Sequence, residues 1–251
     1  MNDVLAADLG TAIAREEIFA VFQPQVDLAD GSIVAAEVLC RWRHPTHGLV
    51  PPDEFIPVAE ELGAISAIGR FMLDQGLRAV EAWRNRGRSI EVSVNVSPVQ
   101  LATDDFISHV GDEMARRGLP PGALNVELTE TRPLGNLSDV VESLEHLRAL
   151  GLGVALDDFG AGHASTAHLE LLPITEVKID RSLIQSDSDA TRDELAGSLR
   201  LARGRHLRVV AEGIESPSHL RRAKALLCDR AQGFLLGRPM TRESFDALLA
   251  L

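Results

Sequence analysis

The chain has 251 residues, 45% of them hydrophobic, and a net charge of −12. That length buries a large core in one or two domains and is typical of a single eight-stranded α/β barrel; the acidic balance excludes a sequence-independent grip on a nucleic-acid polymer, which needs a basic surface. Cys40 and Cys228 form no C-x-x-C pair, which leaves no zinc ribbon or disulfide framework and fits a reducing cytoplasm.

Residues 1–18 carry acids throughout, with no basic stretch before an apolar one. They read as a lead-in helix and not as a signal peptide. No run of about 18 apolar residues predicts a membrane span. Residues 19–251 contain no Ser/Gly/Pro-rich linker and read as one domain. Its opening is a hairpin: VFQPQVDL, a turn at Ala29-Asp30-Gly31, then SIVAAEVLCRW. Strands joined so briefly run antiparallel. Ile65, Ile68, Met72, Ala79 and Trp83 keep a spacing near 3.6 residues and predict a long helix stopped by Gly87. Phe106, Val110 and Met114 predict a second before Gly118. Val140 or Val141 with Leu144 and Leu147 predict a third before Gly151. Leu195, Leu199 and Ala202 predict a fourth ending at Gly204, and Thr241 can cap a last one through Phe245, Leu248 and Leu249.

Between these helices lie β-rich runs near 91–97, 125–130, 153–159, 176–180, 208–214 and 231–237. Six such strands plus the hairpin make eight, and their alternation with helices predicts a closed α/β barrel. An open doubly wound sheet is the alternative, but the first strand is not followed by its glycine-rich phosphate loop.

Six of the expected strands deliver a metal-type or proton-transfer group near their ends: Glu37, Asn95, Glu127, the pair Asp157–Asp158, Lys178 and Glu212. Any one acid there reads equally well as a helix cap or a solvated loop residue. The same placement on six strands suggests one shared site, and parallel barrels carry their chemistry at that face. Carboxylates and an amide are hard oxygen donors, suited to magnesium or manganese. Adjacent acids at one strand tip can serve two ions, which clamp the attacking and leaving oxygens of a phosphoryl transfer. Lys178 can hold the attacking water or offset developing charge, and Glu212 is a candidate base. The negative net charge does not exclude a phosphate-bearing ligand, because bound ions supply positive charge locally.

The segments FQPQVDL, EVLCRWRHP, PDEFIPVAEELG, SVNVSPVQL, VELTE, LDDFGAGHAS, VKIDRSLI, VVAEGIE and CDRAQGFLLGRPM, in this order from about Phe19 onward, resemble the EAL domain family of cyclic di-GMP phosphodiesterases. The resemblance implies a TIM-like (β/α)8 barrel with the first strand antiparallel to the rest, in agreement with the hairpin. It also implies hydrolysis of cyclic di-GMP to linear pGpG with two Mg2+ or Mn2+ ions activating the water. By motif, Glu37, Asn95, Glu127, Asp157, Asp158 and Glu212 match metal ligands, and Glu37, Lys178 and Glu212 match the catalytic set. Gln23, Leu39, Arg41 and Gln232 match substrate contacts; a guanidinium at Arg41 suits a phosphate. Glu130 matches the glutamate that stabilises the DFGAGHAS loop, which in the family couples a dimer interface to metal binding. A homodimer through the helix after strand 153–159 is the implied assembly.

The sequence departs from the family pattern at Val38, where alanine is usual, at His163 and Thr166 in the loop, and at Leu227, where glycine is usual. None of these removes a matched ligand. A barrel that binds cyclic di-GMP as a receptor, with weak or no turnover, is the alternative function; an interaction module without nucleotide is a third. His44 and Pro45 read as turn residues, Cys40 as a small core residue, Phe106 and Met114 as helix core, and Arg84–Arg88 as a solvated helix end.

Overall fold

The computed structural model describes residues 2–102, 104–128, 136–160, 166–186 and 188–250. A first helix, α1 (Asn2–Ala12), leads into the hairpin β1 (Ile18–Asp27) and β2 (Ile33–His44), with a short strand β3 (Gly48–Val50) added to the far end of β2. The chain then runs α2 (Pro52–Glu61), α3 (Ile65–Asn85), β4 (Glu91–Val96), α4 (Pro98–Leu101), α5 (Asp104–Arg116), β5 (Leu124–Leu128), α6 (Leu137–Ala149) and β6 (Gly153–Phe159). It continues through α7 (Thr166–Leu171), β7 (Glu176–Ile179), α8 (Arg181–Gln185), α9 (Asp189–Gly204), β8 (Arg208–Ala211), α10 (Pro217–Ala225), β9 (Arg230–Gln232) and α11 (Arg242–Leu248).

The sheet order β1-β9-β8-β7-β6-β5-β4-β2, closed by the β1–β2 pairing, is an eight-stranded barrel. β1 runs antiparallel to both of its neighbours, and every other pairing around the wall is parallel. This is the expected barrel with an inverted first strand. The expected helices are α3, α5, α6, α9 and α11. Thr241 caps the last through its side chain, which accepts the Ser244 N–H at 3.3 Å.

Three differences in strand extent have local causes. β2 does not end near Glu37; its parallel pairing with β4 stops at Val38, and the rest of the strand is held by β1 and β3. β8 stops at Ala211 because Gly213 turns the chain at φ +64°. β9 is three residues long, not seven, because Leu236 and Gly237 both donate their N–H to the Gly233 carbonyl and close a turn.

The barrel wall separates two chemistries. Val92, Val94 and Val96 of β4 and Val38 of β2 are buried, and α3, which packs on both strands, brings Gly76 against Val38, Val92 and Val94 on the outer face. Burying each such side chain stabilises the fold by about 1.5–3 kcal/mol. The alternate residues face inward and are mostly polar: Gln23 and Gln25 on β1, Glu37 on β2, Glu91, Ser93 and Asn95 on β4, Asn125 and Glu127 on β5, Glu176 and Lys178 on β7, Arg208 on β8, Arg230 and Gln232 on β9. Bonds between strands that are not neighbours prove the direction. Arg208 and Arg230 both reach Glu91, at 3.1 and 2.7 Å, and Asn125 Nδ2 donates to Glu176 Oε1 at 2.9 Å. Barrels usually fill this space with Val, Ile and Leu; here it is a stack of polar layers. The floor lies at the start of the parallel strands and is an ion-pair network of Glu91, Glu176, Arg208 and Arg230.

Candidate active site

The upper layer is built around one ammonium group. Lys178, 1% exposed, places Nζ 2.7 Å from Glu127 Oε2, 2.8 Å from Glu212 Oε1, 3.0 Å from Asp157 Oδ1 and 3.5 Å from Glu37 Oε2. Glu37 is held from two further sides: Asn95 Nδ2 donates to its Oε1 at 2.8 Å and Gln232 Nε2 to its Oε2 at 2.5 Å. Gln232 Nε2 also reaches Gln23 Oε1 at 3.1 Å, and Gln23 Nε2 donates to the Gly237 carbonyl. The inward alternation of β1, β2, β4, β5, β7 and β9 therefore brings Gln23, Glu37, Asn95, Glu127, Lys178 and Gln232 together as expected.

Two consecutive residues of a regular strand point to opposite faces, yet Asp157 and Asp158 serve one site. The pairing of β6 with β7 shifts register between Leu156 and Phe159, and Asp158 adopts φ +53°. Asp tolerates this left-handed region better than most residues. The irregularity turns Asp158 back towards Asp157, whose Oδ1 accepts the Asp158 N–H at 2.9 Å. Gly213, directly after Glu212, has a comparable local reason: a Cβ there would stand 2.2 Å from Cβ of Arg181 on α8.

Carboxylate oxygens form two overlapping triads, Glu37–Glu127–Asp157 and Asp157–Asp158–Glu212, each with its oxygens within 4.8 Å of one another. One ammonium cannot balance this charge. Burial is the largest influence on Glu127, Asp157, Asp158 and Glu212; it pushes all four up against the pull of Lys178, Asp158 to about 6 and Glu212 to about 8. Burial acts on Glu37 too, but Lys178, Gln232 and Asn95 outweigh it and hold that carboxyl below its usual range. The same carboxylates hold the Lys178 ammonium well above its usual value, although burial opposes them. Glu127 Oε1 is buried with no protein partner. An all-oxygen donor set, an excess of buried acid and an orphaned carboxylate oxygen fit a divalent cation; the clusters can hold metal.

Two clefts meet at this layer. A polar one of about 480 Å3 includes Gln23, Glu37, Asp158, Lys178, Glu212 and Phe234 in its lining. A mainly apolar one of about 460 Å3 runs outward between β2, β4 and the helices α2 and α3, past Leu39, Ile56, Ile68 and Met72. Leu39 thus faces the apolar cleft. Arg41 is half-buried and donates Nη1 to the Cys40 carbonyl at 2.7 Å; it belongs to the lining of neither cleft. Glu130 and the loop residues 161–165, His163 among them, lie outside the described residues.

Two features went unread in the sequence. Asp53, at the start of α2, lines both clefts; in the sequence it stands only within the family segment PDEFIPVAEELG, with no role of its own. Phe234 is 47% exposed at the mouth of the polar cleft and carries the Arg238 guanidinium 4.4 Å over its ring. The aromatic in QGF was the available signal.

A closed TIM-like barrel with an inverted first strand, carrying a carboxylate centre fit for metal at its strand ends, defines the class. The chain belongs to the EAL domain family, whose model matches residues 6–239. It is 36% identical over 249 residues to the bifunctional diguanylate cyclase/cyclic di-GMP phosphodiesterase MucR of Pseudomonas aeruginosa, covering 98% of this chain and 36% of MucR. It is 34% identical over 252 residues to the oxygen sensor protein DosP of Escherichia coli, covering 98% and 31%. The chain spans about a third of the length of these curated relatives. The solved structure of the MucR phosphodiesterase in complex with c-di-GMP superposes with a TM-score of 0.89 at 35% identity, covering 96% of this chain and 99% of that one.

Proposed function

We propose that this chain is a metal-dependent phosphodiesterase that hydrolyses cyclic di-GMP to linear pGpG. The observation that carries the proposal is the pair of carboxylate triads sharing Asp157, of which Glu37, Asp157, Asp158 and Glu212 line a polar cleft. Glu37, Asn95, Glu127 and Asp157 would hold one Mg2+ or Mn2+ ion, and Asp158, Glu212 and the shared Asp157 a second. When bound, such ions polarise the phosphoryl oxygens and lower the pKa of a coordinated water. Lys178 positions the attacking water and offsets charge on the phosphorus oxygens. Burial holds the Glu212 carboxyl up near 8 without ions, so it is mostly protonated at neutral pH; bound ions would favour its ionised form, in which it can accept a proton from the water. Gln232 and Gln23 fix the orientation of Glu37 and face the nucleotide. Leu39 contacts a base from the apolar cleft, and Arg41 is available to a phosphate once its side chain swings from the Cys40 carbonyl.

A homodimer built on α7 is part of the same reading, supported by Leu171, a large apolar side chain left exposed at the end of that helix. Glu130 would tie that interface to the site. No helix among the described residues is long and apolar enough to cross a membrane, and two cysteines with no disulfide between them suit the cytoplasm.

The test is incubation with cyclic di-GMP and Mn2+ or Mg2+, with chromatography for pGpG. The expected result is product that disappears on chelation and in Glu37→Ala and Glu212→Ala. A receptor without turnover is the second reading, kept open by Val38 beside Glu37 and by His163 and Thr166 in the loop. Tight nucleotide binding with no pGpG would select it.

A further inference from the structure

The proposed chemistry uses only the upper layer of the lumen. One layer lower, Gln25 is 0% exposed, and neither its Oε1 nor its Nε2 has a protein partner. Its register partner across the β1–β9 pairing is Gln232, whose Oε1 is also buried and unpaired. Asn125, on β5, is 5% exposed; it donates Nδ2 to Glu176, but its Oδ1 has no partner. That oxygen lies over Gly153, where a Cβ would stand 2.5 Å from it. The layer is closed above by Lys178 and its carboxylates and below by the Glu91–Arg230–Arg208–Glu176 floor.

Reorienting the amides does not resolve this. Turning Gln25 over exchanges one unpaired end for another. Asn125 must keep its amino group on the Glu176 carboxylate. A buried carboxamide with no bond made costs far more than an ordinary hydrogen bond returns, and native interiors meet that cost with ordered water held by about three polar partners. The groups available are three amide oxygens that accept and one amino group that donates; one water can serve two of the oxygens and the amino group, and a second water the third oxygen. A bare cation fits poorly, because Gln25 also presents its amino group and two guanidinium groups form the floor beneath.

We propose that the lumen of the barrel holds a closed hydration site between its acidic layer and its arginine floor, with water bound by Gln25, Asn125 and Gln232. The site does not depend on the phosphodiesterase reading, because none of its bonds involves the nucleotide. Water here gives the buried amides of Gln25, Asn125 and Gln232 the partners that no protein group supplies.

Gln25→Leu discriminates by sign. If water is bound, the variant loses a partner and strands Asn125 Oδ1, and Tm falls by about 3 °C or more. If the layer is dry, removing an orphaned amide raises Tm, and the proposal is overturned. Should Gln25→Leu not fold, 15N-labelled wild-type protein gives a second readout: a nuclear Overhauser effect between the Gln25 side-chain amide protons and long-lived water. Its absence also overturns the proposal. Crystals soaked in thallium decide the occupant, since an anomalous peak beside Gln25 would replace water with a monovalent cation.

Discussion

Val38 and Gly76 face each other across the seam between β2 and α3: a Cβ at position 76 would stand 3.2 Å from Val38 Cγ2, with methyls of Val94 and Val92 at 3.4 and 3.5 Å. The valine that replaces the family's alanine beside Glu37 therefore points outward into room left by a helix glycine, and the neighbouring carboxylate keeps its bonds to Asn95 and Gln232. The two positions should be coupled. Gly76→Ala gains roughly 1 kcal/mol of helix propensity but overpacks the seam at a cost of about 1–3 kcal/mol, so a net loss is expected. In a Val38→Ala background the same change should stabilise. Denaturant unfolding of the four proteins in a double-mutant cycle measures the coupling, and additive effects would show that the seam relaxes freely.

Leu227 occupies a glycine's conformation. It follows the C-cap residue Leu226 of α10 at φ +54°, donates its N–H to the Lys224 carbonyl, and is followed by Cys228 donating to Ala223. These two bonds are the Schellman arrangement, which normally has glycine at this point. The side chain is 68% exposed and returns little burial. Leu227→Gly should raise stability by about 0.5–1 kcal/mol, the left-handed penalty exceeding the entropy a glycine adds to the unfolded chain. A lower melting temperature for this variant would refute that accounting.

The acidic layer sets a pH dependence whose sign can be worked out. Glu212 and Asp158 move up to about 8 and about 6 from 4.5 and 3.8, burial being the first cause, and Glu127 and Asp157 move the same way. A folded state that binds protons more tightly is stabilised fully below the unfolded value and loses that contribution as pH rises through the folded one. Lys178 is raised from 10.5, so its contribution stays constant in this window, and Glu37 acts only at lower pH. Chelator-treated protein should therefore lose melting temperature between about pH 4.5 and 8. Added Mn2+ should restore most at the upper end and release protons as it binds. Titration calorimetry at pH 7 in buffers of different ionisation enthalpy reads that release directly; identical heats in both buffers would contradict it.

Lys178→Met removes the ammonium from four carboxylates at once. In chelator the loss should be about 3–5 kcal/mol, as for breaking a buried pair. Mn2+ should recover much of it, because the ion no longer competes with an ammonium, while pGpG formation should fall at least about 100-fold. Stability curves with and without Mn2+, run beside the turnover assay, separate the two roles. Unchanged stability in chelator would mean that the lysine is not the charge that holds this layer.

The one-dimensional pattern of this chain determined much. Helix spacing in residues 65–83, the Ala29-Asp30-Gly31 turn and the recurrence of Glu37, Asn95, Glu127, Lys178 and Glu212 on β-rich runs were enough for the barrel, its opening antiparallel hairpin and most of the carboxylate centre, because periodicity and turn chemistry act locally and strand ends share a face; the family resemblance supplied which strand is inverted. What the tertiary structure decided depends on side chains far apart in sequence. The register shift that brings Asp158 back beside Asp157, the Gly76 space that accepts Val38, and the layer of Gln25 and Asn125 beneath Lys178 arise only when the strands close, since each depends on a partner strand or helix distant in sequence. The polar lumen was the least legible: an inward Gln or Glu on a short strand looks in sequence like a residue facing solvent, and only closure of the wall turns that alternation inside out.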